Sequence, residues 1–164
     1  MNLDAINALS PAAFVDTFGD IAEHSPWVAE AAAALRPYAS REAMVDAFQG
    51  TLAQAPRTQR EALIRLHPDL AGKATLAPDS RKEQAGAGLG TLTAEEMTRF
   101  TDLNTRYQER FGFPFILAVK GATKHQILDA FSTRIHGGRE EEFLTALAQV
   151  MRIIRFRLEE RVDG

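Results

Sequence analysis

The chain contains no cysteine among its 164 residues. This absence excludes a thiol nucleophile, an iron–sulfur cluster, a thiolate zinc site and any disulfide. No apolar run approaches the ~20 residues that span a bilayer, and the N-terminus has no basic segment followed by an apolar one. We therefore expect a cytoplasmic protein that does not associate with membranes.

An excess of positive charge is also missing. Lys and Arg total 19 against 22 Asp and Glu, which gives a net charge of −3, so we expect no nucleic-acid partner. The four histidines, at positions 24, 67, 125 and 136, never occur at an i, i+4 ligand spacing, and we expect no metal site. The glycines within residues 86–90 are not followed by Gly-Lys-Ser/Thr, which argues against a nucleotide site.

What the sequence does contain is helical patterning. Apolar residues recur at spacings of three and four, and capping residues precede several of these segments. Ser10 and Ser25 each precede a proline and are predicted N-caps, whereas the helix capped by Ser40 should stop near Gly50. The pattern predicts an all-α protein, a single compact domain over residues 1–164 with about seven or eight helices.

One of these helices leads into a histidine. It opens at Pro56 and runs to His67, which the ring of Pro68 pushes out of the α region. The partial negative charge of the last carbonyls favours an imidazolium at that position. We interpret His67 as a candidate general acid. The alternative is a plain helix stop that carries an exposed histidine.

A long irregular stretch follows, from Asp69 to Thr93. Such connections inside a compact domain are usually functional or disordered. Within it, Ser80 and Glu83 have the spacing of a capping box. The same carboxylate could orient a substrate, provided that the fold brings it near His67.

Polar and extended features continue downstream. A capping box at Thr93 and Glu96 opens a helix that ends near Arg110 and carries Asn104 within its apolar stripe. A buried amide costs about 1–3 kcal/mol when unpaired, so Asn104 needs a partner in the protein or in a ligand. Residues 112–121 are apolar but have no second strand to pair with, which favours an extended segment with backbone groups to satisfy.

The final helix, from about Arg139 to Arg161, places Arg157 in its apolar stripe. Burying a guanidinium alone is very costly, so this position predicts an anionic partner. The alternative is that the side chain snorkels to solvent near the helix end.

Together these features resemble a known family, the 2-oxo-4-hydroxy-4-carboxy-5-ureidoimidazoline (OHCU) decarboxylases, which complete the route from urate to (S)-allantoin. The resemblance covers nearly the whole chain, and its sequence blocks appear in the same order as in the family. Its blocks are Glu23 to Ala29 (EHSPWVA), His67 to Lys73 (HPDLAGK), Ser80 with Glu83 to Leu89 (EQAGAGL), Asn104 with Tyr107, and Arg110 to Phe115 (RFGFPF).

The resemblance implies an all-helical homodimer that decarboxylates OHCU without a cofactor and protonates one face of the product. The family's catalytic histidine and glutamate fall on His67 and Glu83. The substrate contacts that it implies are Pro68, Ser80, Arg81, Lys82, Gln84, the backbone of Phe115, Ile116, Leu117, Ala118 and Val119, and Arg157. We add Asn104 to these candidate binding residues, with its partner in the protein or in the ligand left open.

One residue departs from the family pattern. Ala77 stands where many members carry threonine, which puts a local hydroxyl contact in doubt. Two other functions compete with decarboxylation. One is a non-catalytic helical module that binds a small anionic ligand or a partner helix, and the other is hydrolysis of 5-hydroxyisourate.

Overall fold

The computed structural model describes residues 1–72 and 76–164. Within these ranges the chain forms nine α-helices and no strand, which confirms the all-α prediction. The helices are α1 Leu3–Asn7, α2 Pro11–Phe18, α3 Trp27–Ala33, α4 Arg41–Gln54, α5 Arg57–Arg65, α6 Pro78–Gly86, α7 Ala94–Phe111, α8 Lys124–Arg134 and α9 Arg139–Arg161. Eight of them have seven residues or more, and the five-residue α1 is the one that the sequence pattern did not predict.

The chain divides into two compact units. The first comprises Met1–Leu66 and Met151–Gly164, and the second comprises His67–Val150. That the whole chain acts as one domain stays a prediction. No helix within the described ranges combines the length and the apolar character that crossing a membrane requires.

The core of the first unit is built around Phe14 of α2. Its ring centroid lies 5.0 Å from that of Phe18, 6.1 Å from that of Phe48 and 6.3 Å from that of Tyr38. All four rings are buried, and aromatic pairs in such tilted contacts contribute stability beyond their buried area.

The core of the second unit is an aromatic cluster around Tyr107 of α7. Phe115 and Phe131 stack with their centroids 3.9 Å apart, and the Tyr107 ring meets both edge-on, at 5.4 and 5.8 Å. Phe113 adds a further edge contact to Tyr107 at 6.0 Å. The cluster therefore packs the extended segment that follows α7 against α7 and α8.

Local capping chemistry explains several helix starts. Ser10 Oγ accepts from the Ala13 N–H at 3.1 Å, as predicted. The capping box at Thr93 and Glu96 is also confirmed, with both of its hydrogen bonds present.

Two other boundary predictions are wrong. Ser25 does not cap α3, because the N-cap position is occupied by Pro26, and the Ser25 hydroxyl donates to the Glu23 carbonyl at 2.8 Å. Gly50 does not end α4, which continues to Gln54. Burial of Leu52 in the last turn outweighs the helix penalty of a single glycine, about 1 kcal/mol.

Candidate active site

The candidate general acid lies just beyond α5. That helix ends at Arg65, Leu66 is its C-cap, and His67 follows outside the helix, as the proline after it predicted. The side chain of His67 is only 9% exposed. The alternative of a solvent-exposed histidine at a helix stop is therefore wrong. Pro68 is half-buried beside it.

The backbone that follows His67 is tied to α6. Ala71 has a positive φ of 55°, which is unfavourable for alanine and needs support. The Gln84 side chain supplies it: its Oε1 accepts from the Ala71 N–H at 3.0 Å, and its Nε2 donates to the Asp69 carbonyl over a longer 3.4 Å. Because Glu83 precedes Gln84 on α6, this pair of bonds links the helix of Glu83 to the loop of His67.

The start of α6 differs from the sequence prediction. The N-cap is Ala77, whose side chain makes no capping hydrogen bond, and Pro78 occupies the first turn. Ser80 and Glu83 therefore lie inside the helix, and their assignment as a capping box is wrong. Proline favours the first helical position and moves the start ahead of Ser80. Ala77 has no hydroxyl, so the departure from the family pattern leaves this N-cap position without a side-chain acceptor.

The helical register of α6 sorts its candidate residues into two groups. Ser80 and Gln84 are buried, 5% and 7% exposed, and Glu83 between them is half-buried. Arg81 and Lys82 are exposed. Residues three and four apart share a helix face, so Ser80, Glu83 and Gln84 form one side of α6.

Asn104 of α7 supports the same loop from a second helix. It is 7% exposed, and its Nδ2 donates to the Leu70 carbonyl at 2.9 Å. Its buried Oδ1 has no hydrogen-bond partner among the described residues. Gln108, one turn further along, donates to Asp69 Oδ1 at 2.8 Å.

The loop and this face of α7 enclose an open cleft of about 490 Å³, which Asn104 lines. The side-chain amides of Gln84 and Asn104 thus hold the backbone that follows His67 and Pro68, and Gln108 holds the Asp69 side chain in the same loop. The protein itself supplies a partner for the amide donor of Asn104, whereas a ligand role for its oxygen stays a prediction.

The extended segment predicted after α7 is also observed, and Phe115, Ile116, Ala118 and Val119 are buried while Leu117 is half-buried. The Ile116 carbonyl accepts from Arg134 Nη1 at 2.7 Å. The Ala118 N–H donates to Gln149 Oε1 at 3.0 Å, so that amide is not available to a ligand.

A buried ionic cluster in the second unit was missed by the sequence reasoning. Arg134 Nε donates to Glu142 Oε1 at 2.9 Å, and the Tyr107 hydroxyl donates to the same oxygen at 2.5 Å. Burial raises the pKa of Tyr107, and the hydrogen bond to Glu142 raises it further. The available signal was Tyr107 in an apolar stripe, because a buried phenol needs an acceptor.

Arg157 belongs to the first unit. It is 3% exposed, which excludes snorkelling, and its Nη2 lies 3.1 Å from Oε1 of the equally buried Glu23. Its Nη1 donates to the Ile21 carbonyl at 3.1 Å. The predicted anionic partner is thus present in the protein. A further contact between Arg157 and a ligand stays a prediction.

A family model described as OHCU decarboxylase matches residues 7–159. The chain belongs to the OHCU decarboxylase family. The resemblance inferred from the sequence blocks is therefore confirmed.

Relatives within the OHCU decarboxylase family differ in length. The 2-oxo-4-hydroxy-4-carboxy-5-ureidoimidazoline decarboxylase of Haloferax volcanii is 40% identical over 164 residues, which cover 100% of this chain and 98% of that protein. The uric acid degradation bifunctional protein PucL of Bacillus subtilis is 46% identical over 156 residues, which cover 95% of this chain but 32% of that protein. The chain therefore spans about a third of PucL and nearly all of the Haloferax protein.

Solved structures carry the same helical fold. The crystal structure of (S)-allantoin synthase has a TM-score of 0.79 and 31% identity, covering 99% of this chain and 55% of that one. The crystal structure of an OHCU decarboxylase in the presence of (S)-allantoin has a TM-score of 0.74 at 20% identity, which shows a shared fold.

Proposed function

We propose that this member of the OHCU decarboxylase family converts OHCU to (S)-allantoin and carbon dioxide without a cofactor. The observation that carries the proposal is the match to the Haloferax volcanii protein, which extends over the full chain and bears the name of this reaction. A homodimer and a cytoplasmic location belong to the same proposal. The first rests on the family resemblance, and the second rests on the sequence pattern alone.

The reaction needs electron flow and proton transfer at two neighbouring ring carbons. One carbon bears both a hydroxyl and a carboxylate, and the other bears the ureido group. The bond to the carboxylate breaks, carbon dioxide leaves, and the electron pair enters the adjacent C=N group, whose nitrogen takes up a proton. The hydroxyl then loses its proton to become a carbonyl, while the ureido-bearing carbon gains a proton on one face. One proton is consumed for each carboxylate lost.

In the proposed mechanism, His67 and Glu83 carry out these proton transfers. Glu83 polarises the substrate hydroxyl, and His67 exchanges protons with the reacting atoms. Positioned acid–base groups of this kind typically contribute ~10²–10⁴-fold to a rate. The two hydrogen bonds of Gln84 to the loop after His67 support this assignment, because they couple the loop to α6.

Binding in this proposal uses the other candidate residues. Next to the reacting groups lie Pro68, Ser80 and Gln84. The proposal also includes Arg81 and Lys82 as substrate contacts, because they belong to the same segment as Glu83. Within residues 115–119, backbone groups other than the Ala118 N–H hold the urea-like part of the substrate. Asn104 and Arg157 stay candidate substrate contacts. Holding the substrate in a reactive orientation lowers the entropic part of the barrier.

The test is the optical activity of the product. Urate is oxidised by a urate oxidase and hydrolysed by a hydroxyisourate hydrolase in the same cuvette, and allantoin formation is followed by circular dichroism. We expect this protein to produce (S)-allantoin faster than spontaneous decay, which has no chiral bias. Racemic product at the spontaneous rate would contradict the proposal and favour a non-catalytic module. A second run without the hydrolase tests whether the chain consumes 5-hydroxyisourate itself.

A further inference from the structure

We propose that Arg134 is a positioning residue, which fixes the backbone of residues 115–119 in the conformation that meets the substrate. The inference rests on the proposed function, which assigns substrate contacts to that segment. Neither the sequence pattern nor the family resemblance pointed to Arg134. Its position at the C-terminal end of α8 brings it to the segment through two separate contacts.

The first contact is a hydrogen bond and the second is a stacking contact. Arg134 Nη1 donates to the Ile116 carbonyl at 2.7 Å. Its guanidinium carbon also lies 4.3 Å from the centroid of the Phe115 ring. One planar group therefore restrains two consecutive residues of the segment, a geometry that the single ammonium of lysine cannot reproduce.

The guanidinium is itself held in place from two other helices. Glu142 of α9 accepts from Arg134 Nε at 2.9 Å, and the Tyr107 hydroxyl of α7 donates to the same carboxylate oxygen at 2.5 Å. The side chains of Arg134 and Glu142 are only 14% and 5% exposed. The cluster of Arg134, Glu142 and Tyr107 thus connects α7, α8 and α9 by hydrogen bonds to one short stretch of backbone.

Stability alone does not explain this arrangement. The desolvation penalty of a buried ion pair can equal the free energy that its attraction contributes. Replacing such a pair by well-packed apolar side chains often leaves the stability unchanged. The buried Nη2 of Arg134 also has no hydrogen-bond partner among the described residues, which adds a further cost. An arrangement that is costly but directional is suited to fixing geometry.

The segment needs such external support. Residues 113–119 are neither helix nor strand, so their conformation does not come from a regular hydrogen-bond ladder. Side chains fix it instead, with Arg134 on the Ile116 carbonyl and Gln149 on the Ala118 N–H. A displacement of about 1 Å in a group that orients a substrate can cost ~10²-fold in rate.

The experiment compares Arg134→Lys with the wild-type protein. We expect kcat/KM for (S)-allantoin formation to fall at least ~10-fold, mainly through kcat, because the backbone that orients the bound substrate is displaced. Far-ultraviolet circular dichroism should stay unchanged. Amide hydrogen exchange should become faster within residues 115–119, with the Ala118 amide as the reporter.

Two further variants keep the test decisive. Arg155→Lys is the matched control, because Arg155 pairs with Glu42 at the surface of the first unit at 2.7 Å and should change neither readout. Tyr107→Phe removes only the hydroxyl that fixes Glu142, and it should shift both readouts in the same direction by a smaller factor. This variant serves if Arg134→Lys does not fold.

The outcomes separate the inference from the proposed function. A wild-type protein without activity overturns the function, whereas equal hydrogen exchange at 115–119 in wild type and variant overturns the positioning role by itself. Unchanged kinetics with a lowered melting temperature would make Arg134 a scaffold residue and would also overturn the inference. Slower turnover together with faster local exchange supports it.

Discussion

At Asn104 and Arg157, a polar side chain within an apolar helical stripe correctly indicated a buried group with an obligatory partner. The partners themselves could not be read from the sequence. The Leu70 carbonyl lies 34 residues from Asn104, and Glu23 lies 134 residues from Arg157. Helical periodicity specifies which face of a helix is buried, but not which distant group meets it.

Arg157→Lys tests the ligand role at the residue scale. We expect KM to rise, because one ammonium cannot copy a planar fork of donors. The melting temperature should also fall, since the guanidinium bonds both to Glu23 and to the Ile21 carbonyl. Steady-state kinetics and thermal unfolding measure the two effects separately.

Glu23→Gln is the control for that substitution, because it weakens the internal ion pair and leaves the arginine in place. It should lower the melting temperature without the rise in KM. If Arg157→Lys also loses stability with unchanged kinetics, Arg157 serves the scaffold and its assignment as a substrate contact is wrong.

Individual helices show which local signals determine where an element begins. Side-chain caps correctly predicted the starts of α2 and α7, because capping is a contact between near neighbours. The start of α6 was mispredicted, since Pro78 outweighed the Ser80 and Glu83 spacing. The end of α4 was mispredicted because burial of its last turn is a tertiary effect.

Ala77→Thr should stabilise α6. The backbone of Ala77 already has N-cap geometry, with φ −59° and ψ 153°, but its methyl group accepts no hydrogen bond. A threonine hydroxyl at an N-cap is worth about 0.5–2 kcal/mol relative to alanine. Urea unfolding should show an increase of that size in the free energy of unfolding.

The same chemical change inside α6 provides the control. Ala85→Thr lies in the exposed part of the helix, where threonine has the lower propensity, and it should destabilise by up to about 0.7 kcal/mol. If both variants are destabilised alike, Ala77 does not act as an N-cap.

Glu96→Gln tests the electrostatics at the start of α7. The hydrogen bond from the Lys124 ammonium at 2.8 Å, together with those from Thr93, lowers the pKa of Glu96 from 4.5 to about 2. A lowered pKa stabilises the folded state above pH 4.5, and this contribution disappears as the pH falls towards 2. The difference in unfolding free energy between wild type and variant should therefore shrink over that interval.

Glu95→Gln is the neighbour control, because it removes the same charge from the first turn of α7. In denaturant unfolding between pH 6 and pH 2.5, the wild-type minus Glu95→Gln difference should change less with pH than the wild-type minus Glu96→Gln difference. A wild-type minus Glu96→Gln difference that stays constant with pH would contradict the assigned ion pair.

At the scale of the whole molecule, the sequence predicted the secondary structure better than the tertiary arrangement. Helical spacing identified the class and nearly all the helices, because that signal is local. The division into two compact units and the cluster of Arg134, Glu142 and Tyr107 were not predicted. Both depend on which buried faces meet, and an amphipathic pattern does not identify its partner.

The oligomeric state is a prediction at this scale. We expect sedimentation velocity to give twice the mass of one chain at micromolar concentration. A standard interface buries about 800 Å² on each partner. Two exposed leucines, Leu35 at 58% and Leu144 at 55%, are candidates for apolar side chains that a second copy buries. A single-chain mass at every concentration would contradict the homodimer.

The measurement that tests the central claim most directly is the chirality of allantoin formed by His67→Asn. Asparagine tolerates a helix end, so the fold should persist while ~10²–10⁴-fold of the rate is lost. His125→Asn, which changes an exposed histidine, should behave as wild type. If His67→Asn keeps its circular dichroism spectrum and loses formation of (S)-allantoin, the proton-transfer role of His67 is supported. Optically active (S)-allantoin at the wild-type rate would contradict that role.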